Sequence, residues 1–170
     1  DVGSGKTIVA FLSIYANTLS GYQSAFLAPT EILAQQHYEN IKKILDIKVE
    51  LLTSSTTKTN RKKIIEKLKN NEIDLVVGTH ALFSDDVIFN SLGLSVIDEQ
   101  HRFGVAQRSK LSAKGQDPHL LVMSATPIPR TLALIMYGDL DVSILDELPP
   151  GRQAVDTFLV GESYRARINA

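Results

Sequence analysis

The stretch "LSVIDEQH", residues 94–101, sets a short apolar run directly against two adjacent carboxylates. A run of this kind is too short for a helix and lacks the polar alternation of a half-exposed strand. It reads as a strand buried on both faces, the kind found in parallel sheets. The same pattern recurs in "SAFLAP" at 24–29, "KVELLT" at 48–53, "DLVVG" at 74–78 and "HLLVMSA" at 119–125. A further strand is expected at "DVSIL", 141–145.

Helical spacing fills the gaps between these runs. Over 5–19 the apolar residues Ile8, Phe11, Leu12, Tyr15 and Leu19 recur at helical intervals, with Gly21 as the stop. "TEILAQQHYENIKKIL", 30–45, begins on a capping threonine, Thr30, and stacks Ile32, Leu33, His37, Ile41 and Ile44 on one face. "TNRKKIIEKLKNNE", 59–72, is a basic amphipathic helix, and two more helices are expected near 105–111 and 131–137. Buried strands alternating with helices predict an α/β domain, a mainly parallel sheet with helices on both faces. Such sheets bind ligands at the carboxyl ends of their strands. The informative residues are therefore those that follow each strand.

Composition narrows the field. The chain has 170 residues, 44% hydrophobic and 22% charged, an ordinary globular balance for one domain. A formal charge of −1 gives no sign of a nucleic-acid partner, so any such contact must come from local placement. The absence of cysteine excludes disulfides and thiolate metal sites and fits a reducing cytoplasmic setting. No apolar run approaches the ~20 residues of a membrane span.

Two motifs carry chemistry. In "DVGSGKT", residues 1–7, Gly5, Lys6 and Thr7 fill the last three places of the phosphate-binding pattern G-x-x-x-x-G-K-[ST]. Gly3, Ser4 and Gly5 let backbone N–H groups turn toward an anion ahead of a helix. Lys6 offers a charge to the outer phosphates and Thr7 a hydroxyl to Mg²⁺. The first glycine of the pattern would fall one place before Asp1. At the other motif, Asp98 closes its strand as a second Mg²⁺ anchor, and Glu99 is placed to take a proton from an attacking water. Together they predict hydrolysis of a nucleotide.

With these motifs in view, "APTEILAQQH", "VGTHAL", "MSATPIPRT" and "YGDLDVSILDELPPGRQ" complete a series whose order and spacing resemble superfamily 2 helicases. Within that group, "IDEQHRFGVAQR" followed by "SATPIPRTLAL" is most similar to the first RecA-like motor lobe of the bacterial branched-DNA helicases. The resemblance implies a RecA-like P-loop domain lacking the strand that precedes the P-loop, which would lie beside the strand at 119–123. It implies ATP and Mg²⁺ as cofactors, with Lys6 on the phosphates, Thr7 and Asp98 at the metal, and Glu99 on the water. By the same resemblance, Gln100 and His101 link the nucleotide site to movement. Ser124, Ala125 and Thr126 couple hydrolysis to strand separation. Thr30, Gly78, Thr79 and His80 belong to the motifs that contact nucleic acid.

Residues 1–148 then form the ATP-binding lobe. Residues 149–170, opening on "PPGR", form a linker and the start of a second lobe. The implied partners are branched DNA (forks, Holliday junctions and other single/double-strand junctions) and a second RecA-like lobe and wedge domain of the same protein, acting in cytoplasmic recombination and repair. A duplex translocase of the transcription–repair coupling type, and for this chain alone a catalytically inactive binding module, are the competing readings. Because half of the ATP site is expected from the second lobe, no activity is expected of these residues by themselves.

Other features read more plainly. The run Arg61, Lys62, Lys63, Lys67 and Lys69 reads as a solvated helix face rather than a DNA contact. His37 reads as packed in the apolar face of its helix. His101 beside Glu99 lacks a third ligand at a recognised spacing, so no zinc site is expected. Arg108 and Arg130 are left outside the site. Ser54 stands where the family often has glycine, which weakens a DNA contact expected there.

Overall fold

The structure, a computed structural model, describes residues 5–99, 110–111 and 113–124, with Asp141, Ser143 and Leu145. Helix α1 (Lys6–Leu19) leads to strand β1 (Gln23–Leu27), helix α2 (Glu31–Ile44), strand β2 (Val49–Leu52) and helix α3 (Lys58–Lys69). Strand β3 (Leu75–Gly78), a 3₁₀ turn (His80–Phe83), strand β4 (Leu92–Ile97) and strand β5 (His119–Val122) follow. All pairings are parallel, in the order β2-β3-β1-β4-β5.

Every residue of β1 and β3 is buried, which is why their sequences carry no alternation. The alternation appears instead in which face each residue packs. Ala25 and Leu27 pack with Leu52, Ile64, Leu68 and Val76 under α3, while Phe26 and Ala28 pack with Phe11, Ile14, Ala34 and Ile41 under α1 and α2. Two cores therefore flank one sheet, as the sequence predicts.

The helices begin where expected, but they do not bury the faces expected of them. Thr30 caps α2, its hydroxyl accepting from the Leu33 N–H at 3.3 Å. Thr57 caps α3 in the same way through Asn60. On α1, however, Ala10, Phe11 and Ile14 are buried, whereas Ile8, Leu12, Tyr15 and Leu19 are exposed. α1 is apolar on more than one side, and the fit against β1 and β4 selects the buried stripe. α2 likewise buries Ala34 and Ile41 and leaves Ile32 and Ile44 outside. Of the expected helix at 105–111, only Lys110 and Leu111 are described, both helical. The helix at 131–137 lies outside the described residues. Of the strand at 141–145, Asp141, Ser143 and Leu145 are described and none is in a strand. Among the described residues β5 borders the sheet, the side on which the resemblance expects a further strand.

Candidate active site at the carboxyl edge of the sheet

Because every strand is parallel, their carboxyl ends share one edge. There β1 gives way to Thr30, β2 to Thr53, β3 to Thr79 and His80, β4 to Asp98 and Glu99, and β5 to Met123 and Ser124. The strand ends are tied laterally: Ala28 N–H donates to the Gly78 carbonyl at 2.9 Å, Asp98 N–H to the Leu27 carbonyl at 2.9 Å, and Met123 N–H to the Ile97 carbonyl at 2.9 Å. α1 runs back along the sheet from this edge, since its last turn connects through Gly21 to the opposite, amino end of β1. Lys6 and Thr7 therefore open α1 at the edge that holds Asp98.

Of the expected loop, the structure describes Gly5, Lys6 and Thr7 at the start of α1. Gly5 sits at φ +87°, a left-handed conformation that costs glycine nothing, and its carbonyl accepts from Ile8 N–H at 3.0 Å. The first turn thus opens directly from the glycine, with the positive end of the helix dipole facing outward. Thr7 is exposed and Lys6 half-buried. Gly3 and Ser4 lie outside the described residues.

Asp98 is half-buried and held at both oxygens. Its Oδ1 accepts from the Glu99 N–H at 3.0 Å, and its Oδ2 lies 3.0 Å from His37 Nε2. Glu99 follows at φ +50°, a backbone state that costs a non-glycine residue about 1–2 kcal/mol and that often marks a functional position. Ser124 stands two residues beyond the end of β5, whose Val122 pairs with Ile97 at the end of β4. Gln100, His101, Ala125 and Thr126 lie outside the described residues, so the expected coupling motifs are represented by Ser124.

His37 is the residue the sequence reading missed. It packs, as expected, with its ring centroid 4.6 Å from that of buried Phe26. Yet it also reaches Asp98, 61 positions away. Nothing in the local pattern of α2 could place it there, because the contact depends on β1 and β4 being neighbours.

The expected nucleic-acid residues separate by exposure. Gly78 and Thr79 are buried, while His80 is exposed. A Cβ on Gly78 would lie 2.2 Å from the Leu52 carbonyl oxygen and 3.0 Å from Leu82 Cγ, so this glycine serves a close approach of β2. The Thr79 hydroxyl is enclosed with no hydrogen-bond partner among the described residues. Beside Thr30, Glu31 accepts from the Ser55 N–H at 3.3 Å, and the Ser54 hydroxyl, then that of Ser55, holds its carboxyl below the usual range. Ser54, standing where glycine was expected, thus joins the β2–α3 loop to the start of α2. On α3, Arg61 pairs bidentately with Asp86 and Lys67 pairs with Glu50 at 2.7 Å. Two of the five basic side chains are therefore committed to carboxylates of the chain itself.

A glycine-led helix start carrying Lys and Thr, and an Asp-Glu pair closing a central strand of a parallel sheet, define the class by fold: an α/β domain of the P-loop type. Residues 1–135 match the family model described as DEAD/DEAH box helicase, and the chain belongs to that family. The ATP-dependent DNA helicase RecG of Bacillus subtilis is 53% identical over the whole of this chain, which covers 25% of that protein. The RecG helicase of Aquifex aeolicus is 56% identical over 99% of this chain and 22% of its own length. A solved structure of RecG bound to a three-way DNA junction superposes with a TM-score of 0.83 at 50% identity, covering 99% of this chain and 23% of that one. The Pyrococcus furiosus Hef helicase domain, at 14% identity and a TM-score of 0.55, shares the fold. The chain spans about a quarter of the length of the curated relatives it matches. Among the described residues no helix is long and apolar enough to cross a membrane.

Proposed function

We propose that this chain is the ATP-binding motor lobe of a RecG-type helicase that acts on branched DNA in recombination and repair. The observation that carries this reading is the Asp98-Glu99 pair at the end of β4, on the edge where α1 opens with Gly5, Lys6 and Thr7. Identity of about half over the entire chain to proteins named as ATP-dependent DNA helicases supports the substrate class.

The donor set suits Mg²⁺ carried in on a nucleotide. Among the described residues no cluster of three His, Asp or Glu could enclose a metal by itself. An exposed hydroxyl and one strand-end carboxylate, both oxygen donors, match a cation that keeps waters and takes phosphate oxygens. When bound, ATP–Mg²⁺ would supply the phosphoryl group and screen its charge. Lys6 would bind the outer phosphates, Thr7 and Asp98 would hold the metal, and Glu99 would orient the attacking water and accept its proton. Gln100 and His101, with Ser124, Ala125 and Thr126, relay the change to movement. Thr30, the exposed His80 and the backbone of Gly78 and Thr79 follow a DNA strand through its phosphates, a sequence-independent mode. Residues 149–170 lead to a second lobe, which completes the ATP site, and a wedge domain engages the junction. The setting is cytoplasmic.

The test uses a full-length helicase carrying this lobe. Lys6→Ala is expected to weaken both nucleotide binding and hydrolysis, because its phosphates are present in the ground state. Glu99→Gln is expected to leave ATP affinity nearly unchanged while single-turnover hydrolysis falls by about 10²–10⁴. Loss of ATP binding in Glu99→Gln as severe as in Lys6→Ala, with Asp98→Asn unaffected, would reverse the roles of the two carboxylates.

A further inference from the structure

We propose that His37 is a positioning residue: it orients Asp98 in the hydrolytic site and ties that carboxylate to the placement of α2. The inference rests on the reading of Asp98 as metal anchor and goes beyond it by assigning a residue outside the nucleotide motifs.

An ionised carboxylate can only accept hydrogen bonds, so His37 Nε2 is the donor in the 3.0 Å contact to Asp98 Oδ2. Among the described residues Nδ1 of the same ring has no hydrogen-bond partner, so the contact to Asp98 is the ring's polar anchor there. Phe26, fully buried in central strand β1, braces the imidazole at 4.6 Å with a 43° tilt and limits its rotation. Since Glu99 N–H holds Oδ1, the two contacts together fix the plane of the carboxylate. Each oxygen retains a lone pair for a metal-bound water. A carboxylate pinned in this way is a better anchor than one able to rotate, as with the hydrogen-bonded outer partners of metal ligands generally.

The second half of the inference concerns the other end of α2. His37 lies seven residues beyond Thr30, about 10 Å along the helix at ~1.5 Å per residue. The first turn of α2 is anchored by the Thr30 cap and by the clasp of Glu31 on the β2–α3 loop. Thr30 is proposed above as a nucleic-acid contact, so a strand bound there acts on the same rigid helix that holds Asp98. The route consists of one helix and one hydrogen bond.

The experiment compares two variants in a full-length helicase carrying this lobe. His37→Phe keeps a ring against Phe26 but removes the donor. His37→Gln removes the ring but returns an N–H near the Nε2 position. Nucleotide binding is titrated against Mg²⁺, and hydrolysis is followed with and without a DNA fork. For His37→Phe the Mg²⁺ needed for half-maximal binding is expected to rise about 10-fold or more. Metal-independent nucleotide binding and Tm should stay unchanged, kcat should fall more than KM rises, and the ratio of fork-stimulated to basal rate should shrink. His37→Gln should recover most of these losses. Wild-type Mg²⁺ dependence and fork stimulation in a folded His37→Phe protein would overturn the proposal while leaving the helicase reading intact. Equal losses in both variants, accompanied by a lowered Tm, would show a packing role only and overturn it as well. Failure of the unsubstituted protein to bind nucleotide with Mg²⁺ would instead remove the functional reading on which the proposal rests.

Discussion

Gln23 and His37 are polar side chains at opposite edges of one sheet, and they are used in opposite ways. Gln23 begins β1 at the amino edge and is 1% exposed. Its Nε2 donates to the carbonyls of Leu68 and Ile73 at 3.0 and 2.9 Å, and its Oε1 accepts from the N–H groups of Asn90 and Ser91 at 2.9 and 3.1 Å. All of its hydrogen-bonding capacity goes into joining the end of α3 to the starts of β3 and β4. His37, at the carboxyl edge, makes one polar contact among the described residues, to Asp98, and its Nδ1 has no partner among them. One end of the sheet thus spends its buried polar groups on holding the fold, and the other keeps carboxylates and helix starts available for chemistry. Substitutions at the two edges should therefore separate stability from activity.

The largest expected effect on stability is at the amino edge. Gln23→Leu is close in volume but removes four hydrogen bonds to backbone groups. Of these groups the Leu68 carbonyl keeps the Asn71 N–H and Asn90 is exposed, so the cost of about 1–3 kcal/mol per unpaired group applies to the Ile73 carbonyl and the Ser91 N–H. A loss on the order of 3 kcal/mol is expected in urea unfolding, with nucleotide affinity per folded molecule unchanged. An unaltered unfolding midpoint would mean that Gln23 is not a structural node, and the contrast between the edges would fail.

A smaller effect of opposite sign is expected at the carboxyl edge. The Thr79 hydroxyl is buried with no partner among the described residues, so Thr79→Val exchanges an unsatisfied polar group for a methyl of similar shape. A gain of about 1 kcal/mol is expected, visible as a raised Tm. Destabilisation would show that the hydroxyl has a partner in solution and would blur the comparison.

The smallest effect lies at a surface pair that belongs to neither site. The Arg61 guanidinium, and after it the Ser84 hydroxyl, hold the Asp86 carboxyl well below the usual range. Half of the Asp86 side chain is exposed, so solvent screening limits the pair to at most about 1 kcal/mol. Because the folded-state pKa is depressed, this contribution is present above the ordinary carboxylate value of about 4 and fades as pH falls below it. Asp86→Asn should lower stability slightly at pH 7, and the gap from the parent should close toward pH 2. A gap that persists at low pH would assign the effect to packing instead.

Much of this molecule was legible residue by residue, and the exceptions share a cause. The five described strands, the cap at Thr30, the glycine-led opening of α1 and the Asp-Glu pair at the end of β4 follow from short-range rules. Each depends on neighbours a few positions away: backbone sterics, an N–H within reach of a hydroxyl, an apolar run too short for a helix. The tertiary structure alone decided that β1 lies between β3 and β4, that α1 packs Phe11 and Ile14 inward and leaves Leu12 and Leu19 outside, and that Gln23 finds partners 45 to 68 positions away. It alone also brought His37 to Asp98. These outcomes depend on strand order and on the fit of whole surfaces, long-range quantities that no local pattern encodes. The sequence therefore specified which groups could do chemistry, and the folded sheet determined which of them meet.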